Sequence, residues 1–178
     1  MLATRTVPIR KLPVRFLSTT TAAASDGPQL NIAKALKKGD ERQSFHYLTS
    51  APVEILQGIG PKHTEELKSL NLKTIQQLAD YKFFHLARSI TTLAKVEEEG
   101  GRLEDALMNL DKGLDKAYEN KSLNELLQEP VHVLQGISPK AGETLASLGA
   151  KTVQDLSKFK YCLWAEAVTV AAKFEDER

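Results

Sequence analysis

The segment LQGIGPK at positions 56–62 returns as LQGISPK at positions 134–140, and this pair of segments decides how the chain is organised. The two copies stand 78 positions apart, and they differ only where Gly60 in the first corresponds to Ser138 in the second. The similarity continues without a gap over residues 31–99 and 109–177. Because repetition at a fixed offset means one structural unit made twice, the sequence predicts two tandem units.

The predicted domain boundaries follow from this repetition. Residues 28–106 form the first unit and residues 107–178 form the second, while residues 1–27 precede both. At 178 residues the chain is long enough for one domain or for two small ones.

Each unit is predicted to be all-α, because its apolar residues recur at three- and four-residue steps and never alternate as in strands. The first helix of each unit is expected at 30–38 and at 107–119, and the last and longest carries the apolar stripe Phe83, Ala87, Ile90 and Ala94 or Tyr161, Ala165, Val168 and Ala172. Start and stop signals recur between them. These signals are Ser44 and Ser122, Pro52 and Pro130, Gly58 and Gly136, Pro61 and Pro139, Asn71 and Gly149, and Thr74 and Thr152.

Residues 1–27 have the composition of an organelle transit peptide. They contain four basic residues, several hydroxyl residues and one acid, Asp26, but no continuous apolar core of a secretory signal. The stretch Arg15–Ser18 resembles the arginine-based site of the mitochondrial processing peptidase. We therefore expect a mitochondrial protein, in the matrix or on the matrix face of the inner membrane, with a plastid location or a plain basic tail as the alternatives.

Composition and charge narrow the function classes. No stretch approaches the roughly eighteen uninterrupted apolar residues of a membrane-spanning helix. The one cysteine, Cys162, rules out an internal disulfide. Without residues 1–27 the chain has 20 basic and 22 acidic side chains, so it is faintly acidic. Proteins that bind a nucleic-acid backbone gain affinity from clustered lysine and arginine, which this balance does not favour.

The repeated segment resembles the helix-hairpin-helix family, in which a short helix, a glycine turn and a second helix follow one another. The resemblance extends through LKSLNLKTIQQLA at 67–79 and LASLGAKTVQDLS at 145–157 and covers about 25 residues of each unit. The residues that fall on the family's pattern are Leu56, Gly58, Ile59, Gly60, Pro61, Lys62, Thr64 and Leu67 in the first copy, and Leu134, Gly136, Ile137, Pro139, Lys140, Gly142 and Leu145 in the second.

The resemblance implies a site at the two turns. In the family's nucleic-acid binders, backbone amides of the turn approach a phosphate at a helix N-terminus, and a following lysine adds charge. Ser138 preserves the turn as an N-cap but puts a side chain where a phosphate would approach. The candidate contact residues, for nucleic acid or for a partner, are Gly58, Ile59, Gly60, Lys62, Gly136, Ile137, Ser138 and Lys140.

No catalytic or metal site is predicted. His46, His63, His85 and His132 lack metal-ligand spacing, and no phosphate loop or dinucleotide fingerprint is present. Cys162 and Trp164 correspond to Phe84 and Leu86 in the first unit, so they are interpreted as core residues.

The sequence therefore predicts a non-catalytic protein-interaction module without cofactor or small-molecule substrate. We expect an accessory subunit, adaptor or assembly factor whose partners are subunits of a mitochondrial complex. The alternatives are a sequence-nonspecific DNA- or RNA-binding protein of the nucleoid or ribosome, and a regulatory protein that binds a small anion at the hairpins.

Overall fold

The computed structural model describes residues 30–98, 105 and 107–176, and the predicted transit peptide at 1–27 lies outside this range. The described residues are all-α and contain no strand, which confirms the all-α part of the predicted fold. We call residues 30–98 the first half and residues 107–176 the second half, and we call two positions that are 78 residues apart equivalent. Within the described part of the chain, no helix is both long and apolar enough to cross a membrane.

The helices begin where the sequence supplies a cap. Ser44 and Ser122 accept hydrogen bonds from the amides of Tyr47 and Glu125. Thr74 and Thr152 form full capping boxes. The helices are α1 Phe45–Ser50, α2 Pro61–Ser69, α3 Ile75–Ala79 and α4 Lys82–Leu93 in the first half, and α5 Leu123–Gln128, α6 Pro139–Ser147, α7 Val153–Ser157 and α8 Lys160–Ala172 in the second.

The predicted first helix of each half, at 30–38 and at 107–119, is wrong. Residues 33–35 and 38–42 form turns, and residues 107–119 have only the 3-10 turns Asp111–Gly113 and Lys116–Tyr118. The reason is tertiary pairing, because Leu36 and Leu114 form single antiparallel bridges with Leu56 and Leu134. The apolar residues of these segments therefore reach the core from extended backbone.

Pro52 and Pro130 are expected in the first turn of a brief helix, and the structure places each of them one residue before it. Each is the N-cap of a single 3-10 turn, Val53–Ile55 or Val131–Val133. Antiparallel bridges join these prolines to Thr74 and Thr152, so each turn is held between two neighbouring segments.

The two halves exchange their longest helices. Helix α4 of the first half packs on α7 and α5 of the second half, while α8 of the second half packs on α3 and α1 of the first. Residues from both halves share one apolar core, in which Phe84, Ala87 and Ile90 of α4 and Cys162 and Ala165 of α8 are fully buried. Each of these two helices therefore buries one apolar face against residues of the other half.

Carboxylates from the acidic segments after α4 and α8 secure this exchange. Glu97 accepts hydrogen bonds from the amides of Leu123 and Asn124 at the start of α5, both at 2.8 Å. Glu175 accepts in the same way from Phe45 and His46 at the start of α1, at 2.9 and 2.8 Å. The free amides and the dipole at a helix N-terminus both favour an anion.

The environment of Glu97 also lowers its pKa. Burial pushes the pKa of this carboxyl upward, but the hydrogen bonds from Leu123 and Asn124 outweigh burial, so the pKa lies below its ordinary value. A group whose pKa is lowered by folding stabilises the fold when it is ionised.

Arg88 of α4 and Glu166 of α8 meet across the two halves, and these positions are equivalent. The Arg88 guanidinium donates a hydrogen bond to Glu166, and the ring nitrogen Nδ1 of His85 lies 3.9 Å from the same carboxylate. If both halves had identical side chains at this position, like charges would face each other. The opposite charges stabilise the crossing of α4 and α8.

We expect Glu97→Ala to lower the free energy of unfolding by about 1 kcal/mol, because the amides of Leu123 and Asn124 at the start of α5 lose their acceptor. The matched control is Glu98→Ala, because Glu98 is exposed. The contribution of Glu97 should be complete above the ordinary carboxyl pKa and should vanish as the pH falls through the lowered pKa of the folded state. Denaturant unfolding of both variants across this pH range measures it, and equal stability of the two variants would contradict the capping role.

Candidate functional site

Each hairpin turn reverses direction at a glycine in the left-handed region. Gly58 has φ 94° and Gly136 has φ 103°, and the amide of the following isoleucine donates back to Leu56 or Leu134. Only glycine adopts this conformation without a steric cost. The 3-10 turn therefore stops, and the chain enters α2 or α6 three residues later.

The isoleucines of the turns are anchors and not contact residues. The side chains of Ile59 and Ile137 are buried, with 0% and 6% exposed. Their amides are also used inside the turn. Of the predicted contact residues, Ile59 and Ile137 therefore hold the turn on the core with their side chains.

An extended segment near the start of each half pairs with the hairpin. In the first half, the Lys37 amide donates to Ile55 O at 2.7 Å and the Gln57 amide donates to Ala35 O at 2.8 Å. The Lys37 ammonium also donates to the carbonyl of Ile59 at 2.7 Å. The pairing of the two segments brings Lys37 to the turn.

The second hairpin lacks that lysine. Asp115 is equivalent to Lys37, and its amide makes the same backbone hydrogen bond, to Val133 O at 2.8 Å. A carboxylate at this position cannot donate to the turn carbonyl. The two hairpins therefore make the same backbone hydrogen bond but carry opposite charges at this position.

The N-termini of α2 and α6 differ at Gly60 and Ser138. The Ser138 hydroxyl accepts a hydrogen bond from the Ala141 amide at 3.2 Å, so the serine caps α6 as predicted. Gly60 makes no side-chain cap, and a Cβ added to it would meet no atom within 4 Å. Among the described residues, no acceptor receives the amides of Lys62 and His63. The first hairpin is thus the more open of the two.

Aromatic residues of the opposite half lie beside both turn glycines. The Tyr161 hydroxyl is 3.0 Å from the place where a Cβ on Gly58 would stand, and the Lys160 ammonium is 3.6 Å from it. At Gly136 the corresponding atom is Cζ of Phe83, at 3.3 Å. Phe83 and Tyr161 are equivalent residues of the first turns of α4 and α8. Because α4 and α8 each pack on the opposite half, each places an aromatic side chain beside a turn glycine. The sequence did not predict these contacts.

The charges around the first hairpin are mixed. Lys62 is 82% exposed and lies 3.8 Å from Glu66, while Lys160 stacks over the rings of Tyr161 and Trp164. A shallow cleft of about 310 Å³ beside the turn is lined by Lys37, Glu54, Pro61, Thr64 and Glu65. Carboxylates therefore share the surface that an anion would approach. On the second hairpin, Lys140 is exposed.

The described residues offer no assembled catalytic group. Burial first, and then the charge of Glu166, raise the pKa of the Cys162 thiol above its ordinary value, so the thiol is a core residue and not a nucleophile. His85 bonds the carbonyl of Ala79 through Nε2 at 2.7 Å. Within the same range, no three His, Cys, Asp or Glu side chains are grouped to hold a metal ion.

Helix α8 carries an exposed apolar stripe that sequence reasoning missed. We call Leu163, Ala167, Val170 and Phe174 the outer stripe; Phe174 lies in the turn after α8. Leu163, Val170 and Phe174 are 38%, 46% and 84% exposed, and Ala167 is exposed as well. The buried residues of α8, including Ala165 and Val168, lie on its other side, so the helix is apolar on two faces.

The equivalent face of α4 is polar over most of its length. Its residues are His85, Ser89, Thr92 and Val96, of which only the last is apolar. Because α4 and α8 have matching places in the fold, packing does not require the apolar residues of the outer stripe. A comparison of equivalent positions in the sequence could have revealed the outer stripe, because three polar residues of α4 correspond to apolar residues of α8.

We expect Gly58→Ala to lower the free energy of unfolding by about 1–2 kcal/mol, because a Cβ would be strained at φ 94° and would press on the Tyr161 hydroxyl. Gly60→Ala is the matched control, since Gly60 has φ −85° and open space around it, and a loss of only a few tenths of a kcal/mol is expected. Thermal or denaturant unfolding measures both. A smaller loss in Gly58→Ala than in Gly60→Ala would contradict the described turn.

Comparisons of the chain with protein-family models, with curated proteins and with solved structures find no match. The interpretation of the two turns therefore rests on their own residues and geometry.

Proposed function

We propose that this chain is a non-catalytic protein-interaction module, made of two tandem helix-hairpin-helix units, that serves as an accessory subunit, adaptor or assembly factor of a mitochondrial complex. The observation that carries the proposal is the outer stripe of α8. It presents apolar side chains to solvent where the equivalent face of α4 presents mostly polar ones. Exposed contiguous apolar surface on a folded protein is typical of sites of protein interaction.

The use of the hairpins inside the fold supports the same proposal. Tyr161 and Phe83 of the opposite half lie beside the turn glycines, and Ser138 caps α6 with its own hydroxyl. The acidic residues Glu97 and Glu175 occupy the N-termini of α5 and α1. Anion-binding features of the backbone are thus largely satisfied by the chain itself, as expected of hairpins that hold a scaffold together.

A mitochondrial location rests on the composition of residues 1–27.

A sequence-nonspecific role in DNA or RNA binding is the second candidate, and the first hairpin favours it. The amides of Lys62 and His63 have no acceptor among the described residues, and Lys37 and Lys160 lie at the same turn. Glu65 and Glu66 weaken this candidate, because they place negative charge on the same helix. The overall balance of charge also disfavours a polyanion.

The interaction role is tested by native gel electrophoresis of solubilised mitochondria. These are isolated from cells that produce the wild-type chain, the Val170→Glu variant or the Thr92→Glu variant. Thr92 is equivalent to Val170 and exposed, so it is the matched control. We expect the wild-type chain and Thr92→Glu to migrate with a large complex, and Val170→Glu to migrate at lower mass, because a charge on the outer stripe must be desolvated on docking. A wild-type chain that migrates alone would contradict the proposal.

The nucleic-acid candidate is tested by binding of single- and double-stranded DNA and RNA at low and at physiological salt. We compare Gly60→Phe, which fills the open turn, with Ser138→Phe at the equivalent position. We expect the wild-type chain and both variants to bind nucleic acid weakly at low salt and not at physiological salt, because the surface lacks an excess of basic residues. Tight binding at physiological salt that only Gly60→Phe removes would establish the second candidate instead.

A further inference from the structure

We propose that the outer stripe of α8 pairs antiparallel with the outer stripe of a second copy of this chain. This inference rests on the proposed interaction role of the same surface and names its occupant. The stripe spans Leu163 to Phe174, which is about 16 Å along the last turns of α8 and the turn that follows it. A two-fold axis through its middle, between Val168 and Thr169, makes the stripe face itself in the opposite direction.

The sizes of the side chains fit this pairing. With the axis at that place, Leu163 of one copy lies at the level of Phe174 of the other, and Ala167 lies at the level of Val170. Small residues at the centre allow the helix axes to approach, while the large residues close the two ends. A two-fold interface requires that one patch be complementary to itself, and this patch meets the requirement.

The charges beside the stripe fit as well. In an antiparallel pair, each flank of one helix faces the same flank of the other. On one flank, Glu166 lies two residues, or about 3 Å along the helix axis, from the level of Lys173 of the second copy. Charged residues beside an apolar seam set the orientation in which two helices pair, and these two residues have opposite charges.

The exposure of these residues leaves the face accessible. Lys173 is exposed, and Glu166 is half-buried because it bonds to Arg88. Trp164 is partly buried at the edge of the stripe, where it widens the apolar surface. A three-turn helix pair buries less than the roughly 1,200 Å² of a standard interface. We therefore expect a reversible dimer with a dissociation constant of about 10 µM.

Sedimentation equilibrium of the purified chain, from about 1 to about 100 µM, tests the dimer. We expect the wild-type chain and Thr92→Glu to dimerise, and Val170→Glu to stay monomeric over this range. Lys173→Glu places a carboxylate opposite Glu166 and should weaken the dimer at least threefold, with Lys95→Glu at the equivalent position as its control. Both lysines are exposed, so neither replacement endangers folding, and far-UV circular dichroism verifies the fold of every variant.

Disulfide cross-linking tests the direction of pairing. Leu163→Cys mixed with Phe174→Cys should give a cross-linked heterodimer faster than either variant alone, because the antiparallel register puts position 163 opposite position 174. The native Cys162 is buried and does not compete. Faster cross-linking of each variant with itself would indicate parallel pairing and overturn the proposal.

The outcomes separate this inference from the proposed function. A wild-type chain that is monomeric at about 100 µM, but is found in a large complex that Val170→Glu abolishes, would mean that a different protein covers the stripe. That result would overturn the second copy as occupant and leave the interaction role standing. A dimer in solution without any complex in mitochondria would support the pairing and contradict the role as a subunit.

Discussion

Helices α4 and α8 each pack on the half of the chain that does not contain them, and the remaining features of the fold depend on this exchange. Without it, Phe84 and Ile90 of α4 and Cys162 and Ala165 of α8 would lose the surface that buries them. The short helices α1, α3, α5 and α7 have five or six residues each, too few to persist in water by themselves. They are stable because a longer helix from the other half covers them.

Because of the exchange, several features that would by themselves suggest a ligand site make contacts inside the fold. Glycine turns, helix N-termini and acidic ends are all typical of binding surfaces. Here Tyr161 lies beside Gly58, Phe83 lies beside Gly136, and Glu97 occupies the start of α5. These groups meet partners inside the protein, although the amides of Lys62 and His63 have no acceptor among the described residues. This is why the apolar outer stripe of α8 carries the functional proposal, rather than the hairpins.

Equivalent positions carry different side chains at several places where the two halves meet or face solvent. Arg88 and Glu166 attract each other across the fold, which two identical side chains at that place could not do. Lys37 and Asp115 give one hairpin a donor that the other lacks. Thr92 and Val170 make one outer face polar and the other apolar. Different residues at equivalent positions thus make the surface of the described residues asymmetric.

The sequence by itself determined the local structure. Glycines at 58 and 136 predicted left-handed turns because only they adopt positive φ freely, and the serine and threonine caps predicted the helix starts because their hydroxyls accept from free amides. Tertiary structure decided the rest. Residues 30–38 have a helical pattern but lie in turns and extended backbone, since Leu36 pairs with Leu56. The placement of Lys37 and Tyr161 at the first turn, and the exposure of the outer stripe, depend on which half each segment packs against. That choice is made by contacts between residues distant in sequence, which periodicity and capping signals do not encode.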